Sequence, residues 1–148
     1  MNPVDTLTLL NRLIVTTKNG EHTLEAAAQE VHHEQLRTAL HDYAQFFHQA
    51  AHDLGAAALR YGGRPHPRAS FGNAVHRTAL HLRALALGRN EEKILDDAEE
   101  QESRADALYA DVDNWDLPQD VRELLLRQGE EAQRHHDAVH ALRDQLVH

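Results

Sequence analysis

Leu7, Leu10, Ile14, Thr17, Glu21, Leu24, Ala28 and Val31 follow one another at alternating steps of three and four residues. That spacing lays them along one stripe of an α-helix, and such a stripe must be buried against another element. Three later stretches obey the same rule: Leu36, Leu40, Tyr43, Phe47, Ala50, Leu54, Ala57 and Tyr61; Leu95, Ala98, Glu102, Ala105, Tyr109 and Val112; and Val121, Leu125, Gln128, Ala132, His135, Val139, Leu142 and Leu146. Four long helices with one seam each have few ways to hide all four, and a bundle is the simplest.

The breaks between the seams set the boundaries. The first helix is expected from about Pro3 to Val31, with Pro3 in its first turn, Asn2 as a cap and Gly20 as an interruption. That glycine costs roughly 1 kcal/mol against alanine, unless a neighbour needs the space it leaves. The second helix runs from about Glu34 to Tyr61 and stops at Gly62-Gly63, which can supply a left-handed exit. The stretch RPHPRAS cannot continue a helix. A shorter helix capped by Ser70 or Asn73 is predicted to reach Leu87, and another to start near Asn90 and continue to Val112. Trp115 and Leu117 are expected to fold back onto the bundle end before the last helix, Gln119 to Leu146.

Two seam seats hold carboxylates. Glu21 interrupts the first seam, and Glu102 occupies the matching seat 81 positions later, with Asp106 matching Glu25 and Val112 matching Val31. A charge in a helical core is costly unless it is paired or holds a cation. The similarity extends into the following helices, where Leu36-Arg37 and Leu40 parallel Val121-Arg122 and Leu125. The chain therefore reads as two similar helical hairpins, joined by a connection in which the short helix serves as a crossover. An up-down bundle with the fifth helix docked outside is the other arrangement the pattern allows.

Reflecting each hairpin about its turn shows which polar groups meet. Glu21 falls level with Tyr43 and Gln45, with His48 one turn on. Glu102 falls level with Glu130 and Glu131, with Gln128, Gln133 and His135 within a turn. Packed back to back, the halves are expected to bring Glu21 and Glu102 together at mid-bundle.

Composition narrows the function. With 24 acidic against 15 basic side chains, the formal charge is −9, which argues against nucleic acid or an anionic membrane as a partner. There is no apolar run of spanning length and no basic, cleavable leader, so a cytoplasmic protein is expected. Cysteine is absent, which leaves imidazole and carboxylate as the metal-binding side chains. Thirteen histidines are many for 148 residues, and histidine is the commonest metal ligand and the side chain that titrates near neutrality.

This layout resembles the ferritin and rubrerythrin superfamily. Within it the chain is most similar to a bacterial group of ferritin-like four-helix-bundle proteins of unknown function. The likeness rests on LNRLI at 10–14, NGE at 19–21, RYGG at 60–63, VHR at 75–77, the acidic stretch at 99–102 and HHDAVHALRD at 135–144. It implies an all-α, ferritin-like four-helix bundle of two hairpins with a shorter crossover helix, forming one domain over residues 1–148. It also implies a two-metal carboxylate site, with one Glu from the first helix of each hairpin and a Glu-x-x-His from each second helix. Glu21 and Glu102 match the first requirement. The second is met incompletely, by Gln45-Phe46-Phe47-His48 and by Glu130-Glu131-Ala132-Gln133 followed by His135 and His136.

The residues then support one divalent ion, Fe, Mn or Zn, held by Glu21, Glu102, Glu131 and His135 or His48. The rivals are a metal-free structural or stress-related interaction module, and a di-iron oxidase or peroxidase. No nucleophile motif, phosphate-binding glycine loop or Ser-His-Asp arrangement is present, so the sequence favours a protein without catalysis. A homo-oligomer is compatible with it.

Overall fold

A computed structural model describes residues 3–63 and 91–146. These form four long helices: α1 (Pro3–Glu30), α2 (Glu34–Arg60), α3 (Glu91–Ala110) and α4 (Gln119–Leu146). A short 3-10 turn, Asp111–Asn114, follows α3. The shorter helix expected up to Leu87 lies outside the described residues, as does the VHR motif.

The termini of these helices follow from local chemistry. Gly62 adopts φ +86°, the left-handed conformation that a side chain disfavours. Its N–H donates to Leu59 O at 3.2 Å and that of Gly63 to Ala58 O at 2.8 Å, which together close a Schellman turn and end α2. The two hairpin turns use the same device. Arg37 Nη2 donates to Val31 O at 2.9 Å after α1, and Arg122 Nη2 donates to Trp115 O at 2.9 Å after the 3-10 turn. The repeated Leu-Arg and Val-Arg steps of the sequence thus do equivalent work. Trp115 does fold back: its indole N–H donates to Asp111 Oδ2 at 2.9 Å, its ring packs on the core, and Leu117 is buried.

The helices pack in a square. α1 lies beside α2 and α3, and α4 lies beside α2 and α3, while the backbones of the α1–α4 and α2–α3 pairs stand farther apart across the diagonals, with no Cα atoms of the described residues within 8 Å. Directions come from the ends. The His32 N–H donates to Glu91 Oε1 at 2.9 Å, so α3 begins beside the α1–α2 turn and runs back along α1. At the opposite end, Tyr61 Oη donates to Asp120 Oδ1 at 2.6 Å, so α4 begins where α2 ends. Residues 63 and 91 therefore lie at opposite ends of the bundle. At 1.5 Å per residue α2 is about 40 Å long.

The core draws on the seams, among them Leu10, Leu24, Leu36, Leu40, Tyr43, Phe47, Leu54 and Leu125, and on Leu9, Leu13 and Ile94 beside them, all buried. Gly20 belongs to this core for a reason the sequence allowed. A methyl group there would stand 2.8 Å from the Phe47 ring, so the glycine is the seat on which that ring rests. None of the described helices is long and apolar enough to cross a membrane.

Candidate functional site

Each hairpin is stitched across its middle by carboxylate–histidine pairs. In the first, Glu21 Oε2 meets His48 Nδ1 at 3.0 Å, and Glu25 Oε1 lies 3.2 Å from His41 Nδ1 and accepts from Gln45 Nε2 at 3.1 Å. In the second, Glu102 Oε2 meets His136 Nδ1 at 2.9 Å and Glu99 Oε1 meets His140 Nδ1 at 3.0 Å. Asp106 Oδ2 lies 4.0 Å from the same His136 nitrogen.

The two halves differ in depth. The Glu102 side chain is 2 % exposed and its His136 partner 21 %, against 15 % for Glu21 and 61 % for His48. Burial raises the Glu102 carboxyl above its ordinary range, and the His136 hydrogen bond and charge oppose that rise. Burial likewise raises Asp106. The hydrogen bond to the Glu102 carboxylate raises His136, against the opposing effect of its own partial burial. The second hairpin thus holds two desolvated carboxyls that share one imidazole.

Between the pairs runs an aromatic stack. Phe47 sits on Gly20 of α1 and stacks on Tyr43 with ring centres 4.8 Å apart. Tyr43 in turn stacks on His135 of α4 at 5.4 Å and 16°, and His135 also covers Phe46 at 5.3 Å. The stack reaches diagonally across the bundle from α1 to α4. The Tyr43 hydroxyl is buried without a hydrogen-bond partner among the described residues. Burial raises its pKa far above the usual phenol range, and the charges of Glu102 and Asp106 add to the shift. Below it, Tyr109 Oη donates to Gln128 Oε1 at 2.8 Å, and Gln128 Nε2 reaches Ala50 O at 3.4 Å.

The expected ligands are therefore dispersed. Glu21 finds His48, as the hairpin reflection allowed. Glu102 finds His136 and not His135, which is spent on Tyr43 and Phe46. Glu131 is exposed, with an oxygen 3.9 Å from Arg134. Glu130 is exposed too, and at this level Gly129 faces the Tyr109 ring instead. The reflection missed because the 3-10 turn and the extended Trp115–Pro118 link push the symmetry point of the second hairpin into the first turn of α4. Among the described residues, no group of three or more His, Asp or Glu is arranged to hold a metal ion.

The two halves meet the requirements of a two-metal carboxylate site only in part. The Glu of the first helix meets the His of the second in both halves. The carboxylate that should precede that His by three positions is an amide both times: Gln45-x-x-His48 and Gln133-x-x-His136. Gln45 turns outward to Glu25, and Gln133 Nε2 turns to Asp137 Oδ1 at 2.9 Å. Reflection about Trp115 or Asp116 places the second motif three residues too early, and the repeat of Gln-x-x-His is the sequence signal that marks its true position. Aromatic rings take up the layer between the halves. These residues do not fit a two-metal centre.

Residues 5–114 match a family described as a domain of unknown function, DUF2383. The chain belongs to the DUF2383 family. The match covers α1, α2, α3 and the 3-10 turn, so Glu21, His48 and Glu102 fall inside it and His136 falls beyond it. No curated protein matches this DUF2383 chain.

Proposed function

We propose that this chain is a ferritin-like four-helix bundle that acts as a helical scaffold or interaction module, without a two-metal centre between its hairpins. One observation carries the reading: the layer that such a centre would need is taken up by the Gly20–Phe47–Tyr43–His135 stack. Each of the two core-seat glutamates is satisfied by one histidine of its own hairpin. The placement of residues 63 and 91 at opposite ends of the bundle and the two repeated arginine turns support the ferritin-like reading of the topology. A scaffold of this kind does its work through its outer surface.

The competing reading is one divalent ion, Fe, Mn or Zn. Its favourable point is the Glu102–His136 edge with Asp106 beside it, a donor set that suits such ions. Metal analysis of the untagged protein, with melting curves in chelator and in each metal, decides between them. A ligand of the folded state raises the melting temperature by mass action. The scaffold reading expects no stoichiometric metal and no shift. Stoichiometric metal that is lost in Glu21→Ala/Glu102→Ala overturns it.

A further inference from the structure

The α3–α4 interface carries two polar clusters. In one, Glu102 meets His136. In the other, Arg143 Nη1 donates to Glu99 Oε2 at 2.8 Å, Arg143 Nη2 donates to Asp96, and His140 Nδ1 meets Glu99 Oε1 at 3.0 Å. A cavity of about 10 Å³ is lined by members of both: Glu102 from the first, and Glu99, His140 and Arg143 from the second. Val139 and, from α2, Leu40 complete its apolar side. We propose that this cavity is a binding site for one water molecule, which accepts a hydrogen bond from Arg143 Nε and donates to the carboxylates of Glu99 and Glu102. The inference stands apart from the scaffold reading, because it concerns how the two clusters are joined and not what the outer surface does.

Size and chemistry select the ligand together. One water needs roughly 10–15 Å³ of such space, so the cavity admits a single molecule and no organic ligand. The Arg143 side chain is 10 % exposed, and its Nε is buried with no hydrogen-bond partner among the described residues. An unpaired donor on a buried charged group is costly, so a small acceptor beside it is favoured. Glu102 is buried as well, and its Oε2 goes to His136. A carboxylate offers about four lone-pair sites, so one histidine does not exhaust it. The neighbouring guanidinium disfavours a cation in this cavity, and the two carboxylates disfavour an anion. A neutral molecule that both accepts and donates suits a wall of mixed charge.

With three bonds, the water matches the usual valence of a buried one. It joins the two clusters into a single network that runs along the α3–α4 interface from Asp96 to His136. The sign of a cavity-filling substitution then follows. A methyl group added to a dry apolar cavity gains contacts and stabilises. A methyl group that expels a bonded water leaves Arg143 Nε without an acceptor, and that loss is the larger.

The test is a crystal structure of the chelator-treated, full-length protein in which ordered water is visible, with the same for Val139→Ile and Arg143→Lys, and thermal melts of parent and Val139→Ile. The parent should show one peak at about 2.7–3.2 Å from Arg143 Nε and from a carboxylate oxygen. Val139→Ile should lose the peak and melt about 2–4 °C lower, the shift that one lost hydrogen bond produces in a chain of this length. Arg143→Lys keeps a cation near Asp96 and Glu99 but has no N–H at the Nε position, so the peak should go with the arginine. An empty cavity in the parent, Arg143 Nε bonded directly to a protein oxygen, a peak that persists in Arg143→Lys, or a Val139→Ile melting temperature that is unchanged or raised overturns the site. A peak at about 2.0–2.2 Å from the carboxylates is an ion. It overturns the water site and defeats the scaffold reading too, whereas the other failures leave that reading untouched.

Discussion

Glu102 and His136 meet at 2.9 Å across the α3–α4 interface, and the glutamate is almost wholly removed from water. A pair so placed is worth little more than an apolar contact, but its separation is expensive, because it leaves a desolvated charge behind.

Glu102→Gln keeps the shape and one hydrogen bond but removes the charge. The His136 midpoint should fall towards that of a free imidazole, since Glu102 is the main cause of its rise. At pH 6 the variant should be less stable than the parent by about 1–2 kcal/mol, the scale of a charged hydrogen bond. At a pH above the raised His136 midpoint, the difference should shrink or reverse. Denaturant melts at the two pH values check this; an equal loss at both would show that shape and not charge governs the pair.

Gly20→Ala should destabilise although alanine is the better helix former by about 1 kcal/mol. The new methyl would stand 2.8 Å from the Phe47 ring. Displacing that ring disturbs Tyr43 and through it His135, so the overpacking cost of roughly 1–3 kcal/mol prevails. A thermal melt and the His135 ring shift report both effects.

Thr23→Val should stabilise. The Thr23 hydroxyl is buried and lacks a hydrogen-bond partner among the described residues. Replacing it with a methyl of similar size removes an unsatisfied group, a gain of about 1 kcal/mol. Chemical denaturation measures it directly, and a loss of stability would mean that the hydroxyl is hydrogen-bonded in solution.

Arg37→Ala and Arg122→Ala should have similar effects, each of about 1 kcal/mol, because each removes one guanidinium from a turn carbonyl. Arg122 also pairs with the exposed Asp113, a contact worth little in water. A much larger loss at one site would show that the two hairpin turns are not equivalent.

The sequence by itself determined the parts that depend on periodicity and backbone chemistry. Seam spacing placed four helices and most of their inward faces, Gly62-Gly63 marked the end of α2, and the Leu-Arg and Val-Arg repeat related the two hairpins. Glu102 was legible as a core carboxylate because helical spacing alone puts residue 102 on the buried stripe. What only the tertiary structure decided is which neighbour each face of α4 meets. A helix wedged between α2 and α3 has two inward directions, and heptad spacing reports only that a residue is inward. His135 therefore took the aromatic side and His136 the carboxylate side, a choice set by how α4 is rotated about its axis. That rotation answers to the packing of Phe47 on Gly20 and Tyr43 on Phe47, contacts between residues far apart in the chain, which no local pattern records.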